Sequence, residues 1–88
     1  MYFVYILQSL KDYRTYVGYT NNLDERLKRY NAGLVTATKH RIPLKLIYSE
    51  HFQTTKEAKE REKYYKNGGG RRKIKQLFSN DFQFAKLE

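Results

Sequence analysis

No cysteine occurs in the 88-residue chain. That absence excludes disulfides, zinc–thiolate sites, iron–sulfur clusters and thiol catalysis together, and a small domain without disulfides suits a reducing compartment. Long apolar runs are missing too. The longest, Tyr2-Phe3-Val4-Tyr5-Ile6-Leu7, falls far short of the roughly 20 residues a membrane-spanning helix needs. The chain opens without a basic stretch, apolar segment and cleavage site, so a cytoplasmic protein with no membrane partner is expected. Acidic residues are scarce, nine against eighteen Lys and Arg, which leaves a formal charge of +9. Excess charge of one sign repels itself and is commonly retained for a polyanionic partner. Proline occurs once, and three of the five glycines stand together at 68–70.

The length allows one small domain over residues 1–88, with a thin core. Aromatic residues are plentiful, nine Tyr and five Phe, and they interleave with the basic ones. The charge is regional: residues 56–75 hold nine Lys or Arg and three Glu, and residues 23–45 hold six basic and two acidic groups. Such stretches are often plain solvated helix faces; they also suit a nucleic-acid surface or a helix lying on a membrane.

Hydrophobic periodicity predicts strands over 2–7, 14–20 and 44–52, the first two joined as a hairpin. Asn21 and Asn22 are N-cap residues for a helix running to about Asn31, with Gly33 at its C-terminal cap. Residues 34–43 form a loop. Thr54 with Glu57 makes a capping box that opens a second helix, which ends before the glycine triplet. A third helix is predicted over 71–79, with Ile74, Leu77 and Phe78 on one face. The expected fold is a small α/β (α+β) domain, a three-stranded, mainly antiparallel sheet flanked by helices in the order β-β-α-β-α-α. Strand order within the sheet does not follow from the sequence.

Helical phase singles out two charged residues. With Leu23 at 0°, Leu27 falls at about 40° and Tyr30 at about −20°, while Arg26 borders this stripe at about −60°. Lys28 and Arg29 face water. On the second helix, with Ala58 at 0°, Tyr65 falls at about −20° and Glu62 at about 40°, whereas Glu57 and Glu60 point away. A carboxylate on an apolar face is costly unless a cation or several donors satisfy it. Glu62 therefore reads either as the partner of an arginine such as Arg26 or as a metal ligand.

Phe3-Val4-Tyr5 and Tyr16-Val17-Gly18, separated by ten residues, are followed by Thr20, Arg26, Tyr30 and Gly33, then by Glu62 and Lys66. This ordered series resembles the GIY-YIG nuclease family, in particular small stand-alone members similar to the N-terminal domain of the bacterial excision-repair endonuclease. It covers roughly residues 2–78. The resemblance implies a metal-dependent endonuclease that hydrolyses DNA phosphodiester bonds, with a place in DNA repair or recombination. Its catalytic residues would be Tyr5, Tyr16, Arg26, Tyr30 and Glu62, with Glu62 the ligand of one Mg²⁺ for which Mn²⁺ could substitute. Two departures stand out. Phe3 replaces the first glycine of the family's first triplet, and a late asparagine of some members has only Asn67 as a candidate counterpart.

The chemistry suits those residue types. Arg26 can neutralise phosphate oxygens with a planar fork of donors. One carboxylate is enough for Mg²⁺, which takes few protein ligands beside water and phosphate. Tyr5 and Tyr16 are both candidates for orienting or deprotonating the attacking water, and a phenol of pKa about 10 needs nearby positive charge to serve as a base. Gly18, Thr20, Lys39, His40, Arg41 and Lys66 are candidate DNA-contacting residues. With no appended recognition domain, selection is expected from DNA structure or a partner, with weak sequence preference. Two other functions stay open: a nucleic-acid-binding module that no longer cuts, and an interaction protein whose basic face meets acidic protein or lipid.

Overall fold

In the computed structural model, which describes residues 1–77, the order is β1 (Tyr2–Ser9), β2 (Thr15–Thr20), α1 (Leu23–Asn31), β3 (Leu44–Phe52), α2 (Thr55–Lys66) and α3 (Gly68–Leu77). The expected fold class and element order are those observed. The sheet has strand order β2-β1-β3, with both pairings antiparallel. Among the described residues no helix is long and apolar enough to cross a membrane.

The central position of β1 explains its unbroken apolar run. Val4 and Ile6 face α2 and α3, where they meet Ala58, Tyr65 and Ile74. Tyr5 and Leu7 face the opposite way, toward Tyr30 of α1 and Leu44. A strand covered on both faces has no polar side to alternate with. The register of β1 with β3 shifts between Ile6 and Leu7. The extra residue of this bulge lets Ile47 and Tyr48 both join the cluster under α2.

Local signals set the helix ends. The Asn22 side chain accepts from the Glu25 backbone N–H at 3.1 Å. The Thr54–Glu57 capping box forms as the sequence predicts. Asp24 and Glu25 lie in the first turn of α1 and Lys28 and Arg29 in its last, in keeping with the helix dipole. Beyond α1, Gly33 takes a positive φ of 78°, and Leu34 after it is exposed. Asn31 then ties the helix to the sheet: its amide oxygen accepts from the Leu44 N–H at 2.7 Å, and its amide nitrogen donates to the Leu44 carbonyl at 3.0 Å.

Two expectations need correction. The first strand continues to Ser9 rather than ending at Leu7. The third helix starts at Gly68 rather than Arg71, so the glycine triplet forms its first turn instead of a plain stop. The reason is close packing, because a β-carbon on Gly70 would overlap the Tyr64 carbonyl and the Tyr65 backbone. Helix α3 can turn directly off α2 only without a side chain there. Ile74 is buried as predicted, and Phe78 and Ser79 lie outside the described residues.

Candidate active site

Two clefts adjoin along β2, the edge strand. The first, about 520 Å³, is lined by Tyr5, Gly18, Thr20, Arg26, Tyr30, Glu62 and Lys66, with Tyr2, Val17, Tyr19 and Asn21 at its margins. It draws side chains from β1, β2, α1 and α2. Tyr5 pairs with Gly18 across the β1–β2 ladder, and the phenol lies directly over that glycine, where a β-carbon would overlap its oxygen. Gly18 is thus required for close approach to Tyr5.

That phenol is the hub of a small polar network. Its oxygen lies 2.9 Å from the Tyr30 hydroxyl and accepts from Arg26 Nε at 3.3 Å. The Arg26 guanidinium carbon stands 5.3 Å from the centre of the Tyr30 ring. Burial, reinforced by the Tyr30 hydrogen bond, pushes the Tyr5 phenol well above its ordinary pKa, and Arg26 opposes the shift only in part. Arg26 is held above its ordinary value chiefly by its hydrogen bond to Tyr5. It therefore keeps its charge, and no carboxylate among the described residues neutralises it.

Glu62 enters from α2 as the sole carboxylate of this cleft among the described residues. Its partner is Lys66, at 3.4 Å, not the arginine that its helical phase suggested. Such an i,i+4 pair contributes only about 0.3–0.5 kcal/mol, so it leaves the carboxylate free to take a ligand. Among the described residues no group of three or more His, Cys, Asp or Glu gathers to cage a metal. One carboxylate beside an open cleft suits a hard cation that completes its shell with water and phosphate oxygens.

Tyr16 lines the second cleft, about 800 Å³, which shares Val17, Tyr30 and Lys66 with the first. The two candidate tyrosines are therefore set in neighbouring spaces with different surroundings. Of the candidate DNA contacts, Gly18, Thr20 and Lys66 come to the first cleft, while Lys39, His40 and Arg41 line neither. Arg41 is ion-paired with Asp12, and the His40 carbonyl accepts from Lys11 Nζ at 3.1 Å. Asn67 caps α2 and lines neither cleft. Tyr13 and Arg14, which the sequence did not single out, line the second cleft. Only the basic residue beside an aromatic one in the hairpin turn hinted at them.

A three-stranded antiparallel sheet, along whose edge strand tyrosines meet an arginine from α1 and a lone glutamate from α2, defines a small α+β domain of nuclease type. The description "GIY-YIG catalytic domain" matches residues 1–76, and the chain belongs to the GIY-YIG family. It is similar to small UPF0213 proteins. One from Clostridium perfringens is 39% identical over 89 residues, covering 100% of this chain and 95% of the relative. The UPF0213 protein YazA of Bacillus subtilis is 38% identical over 86 residues, covering 97% and 84%. A third, from Bacillus licheniformis, is 44% identical over 66 residues, covering 74% and 67%. No solved structure matches the chain.

Proposed function

We propose that the protein is a metal-dependent endonuclease that hydrolyses DNA phosphodiester bonds, and that the first cleft is its active site. The observation that carries this reading is the meeting of an unneutralised Arg26 with a lightly paired Glu62 in one cleft. A module that only bound DNA would need the basic surface but not this pairing.

Glu62 would hold a single Mg²⁺, which supplies positive charge at the phosphate oxygens when bound. Arg26 grips the same phosphate from the other wall and stabilises charge as it builds on phosphorus. Its aim is fixed by the Tyr5 oxygen at Nε and by the Tyr30 ring beneath it. With Nε spent on Tyr5, the two terminal nitrogens of the fork remain for phosphate oxygens. Tyr5 keeps its proton in the free protein because burial raises its pKa. If it accepts the proton of the attacking water, it does so only once substrate and cation have brought further positive charge. Tyr16, half-buried on the neighbouring cleft wall, is the other candidate acceptor.

The test is incubation of the pure protein with branched, nicked, single-stranded and duplex DNA, in Mg²⁺ or in EDTA. Cleavage in Mg²⁺ alone is expected, and Glu62→Gln should remove it, by more than about 10²-fold, with Tm equal or higher. A Glu62→Gln protein that cuts at the unmutated rate sinks the metal assignment. DNA binding without cleavage in any arm favours the binding module.

A further inference from the structure

The second cleft holds a residue that the nuclease reading leaves unused. Tyr13 sits in the turn between β1 and β2 with a positive φ of 63°, and it is the sole non-glycine residue in that region among those described. A bulky side chain is rarely found there, where Gly, Asn or Asp would be at ease. The surroundings hold the conformation from several sides. The Ser9 N–H donates to the Arg14 carbonyl and the Tyr13 N–H to the Ser9 carbonyl, both at 2.9 Å. Gln8, only 4% exposed, spends its buried amide on the Tyr13 carbonyl at 3.2 Å. Strain that is over-determined in this way clusters at functional positions.

The ring belongs to neither core cluster. Tyr13 is 41% exposed, and its ring makes no aromatic contact and its hydroxyl no hydrogen bond among the described residues. Three other tyrosines line the same cleft, but Tyr30 and Tyr65 are 6% and 1% exposed, and Tyr16 is half-buried against the core. Tyr13 thus offers the free aromatic face. Around it the cleft is lined by apolar and threonine side chains, with Arg14 and Lys66 as its cations, and by no carboxylate among the described residues. An aromatic face, apolar walls and flanking cations form a setting for one nucleotide whose base has left its stack.

We propose that Tyr13 is a base-stacking residue: the adjoining cleft takes the nucleotide next to the phosphate seated at Arg26 and Glu62, with its unpaired base against the Tyr13 ring. This rests on the nuclease reading and adds a subsite to it. Lys66 lines both clefts, so it marks the path of the backbone from one to the other. The strained turn holds the ring at the cleft without the freedom a glycine turn would bring.

The experiment compares two single-stranded probes of equal length and charge, a 12-mer oligothymidylate and a 12-mer of abasic residues, by fluorescence anisotropy in EDTA. The wild type should prefer the thymidylate on the order of 10-fold, the size of one base–aromatic stack. Tyr13→Phe should keep that preference. Tyr13→Gly and Tyr13→Leu should bring it close to unity while binding the abasic probe as the wild type does. A role confined to holding the turn would weaken both probes alike and leave the ratio unchanged. A Tyr13→Gly protein with native circular dichroism and an undiminished preference overturns the proposal, as does a wild type with no preference. If the wild type binds neither probe yet cuts branched, nicked or duplex DNA in Mg²⁺, the stacking role fails alone; if it also cuts no DNA, the nuclease reading fails with it.

Discussion

The molecule contains two arginine–tyrosine clusters built from the same parts on opposite faces of one sheet. On the α1 face, Arg26 leans over Tyr30 at 5.3 Å and donates to Tyr5. On the α2 face, Arg61 lies 4.7 Å and 4.9 Å from the ring centres of Tyr64 and Tyr65 and donates to the Tyr65 hydroxyl at 3.3 Å. The second cluster also holds Glu50, which takes Arg61 in a two-point grip at 2.8 and 3.2 Å. Burial alone would raise the Glu50 carboxyl, but hydrogen bonds from Arg61 and Tyr48 bring it below its ordinary value. The first cluster has no such carboxylate among the described residues, and a phenol stands where Glu50 would be. Arg61 is therefore neutralised and ties α2 to β3, whereas Arg26 keeps a net charge facing a cleft. Aromatic neighbours are common to both arginines; the counter-charge is what differs between them.

The sharpest way to break this comparison is Arg26→Lys. Charge is retained, so DNA affinity should hardly change, but the planar fork and its anchoring on Tyr5 are lost. Single-turnover cleavage at saturating protein should fall by roughly 10²–10³-fold, the effect of removing one preorganised oxyanion donor. The exposed Arg29 on the same helix is the control, and Arg29→Lys should be near silent. If Arg26→Lys cuts normally, or Arg29→Lys fails as badly, Arg26 has no privileged place.

Arg61→Ala should show the opposite signature. It leaves a half-buried Glu50 without its cation and uncovers two tyrosine faces, costing about 1–2 kcal/mol, with the pair's 34% and 21% exposure keeping the loss below that of a fully buried bridge. Thermal denaturation should report a Tm lower by about 5–15 °C for a domain of this size. Below the transition, the chemical step should stay within about threefold of wild type, far from the loss expected at a transition-state donor. A larger kinetic loss at full folding would mean that the α2 anchor also positions Glu62.

Under alkaline conditions the two clusters should behave alike. Burial raises the pKa of Tyr5 and of Tyr65 in the folded chain, while unfolded phenols titrate near 10. Below about pH 10 both states keep these protons and the contribution is fully present; above it only the unfolded chain releases them, so stability falls as pH rises. The slope is at most about 1.4 kcal/mol per pH unit per phenol. Denaturant melts of Tyr5→Phe and Tyr65→Phe from about pH 9 to 11 should each show a shallower decline than wild type. Equal slopes in wild type and variants would mean that burial is not what holds these protons.

Much of this was legible in the sequence because the signals were local. Asn22, Thr54 and Glu57 cap helices wherever they sit before an amphipathic run, and 100° phasing was enough to set Arg26 beside the core and Glu62 toward the sheet. Strand order was not legible, since nothing in β1 says which neighbours flank it. The glycine triplet misled because glycine is a poor helix former; its place in α3 comes from a contact with α2 that propensity does not encode. Asp12 as partner of Arg41 depends on which side chains the folded backbone brings within reach, whereas Lys66, one turn from Glu62 on the same helix, could have been read from the i,i+4 spacing. The left-handed Tyr13 had no signal at all, because tyrosine carries no preference for that conformation.

The overlap of Tyr5 with the space a side chain would occupy at Gly18 has a consequence for how the sequence can change. Positions 5 and 18 form one mutational unit, in which the order of substitution matters. While tyrosine stands at 5, alanine at 18 displaces the phenol, and with it the support of the Arg26 guanidinium. Once position 5 has lost its phenol, position 18 is released from its constraint and can drift to a larger residue. Return is then blocked, because a tyrosine restored at 5 would meet an occupied site. A lineage that loses this pair in that order passes through a ratchet, and a glycine at 18 facing a tyrosine at 5 marks a chain that has not.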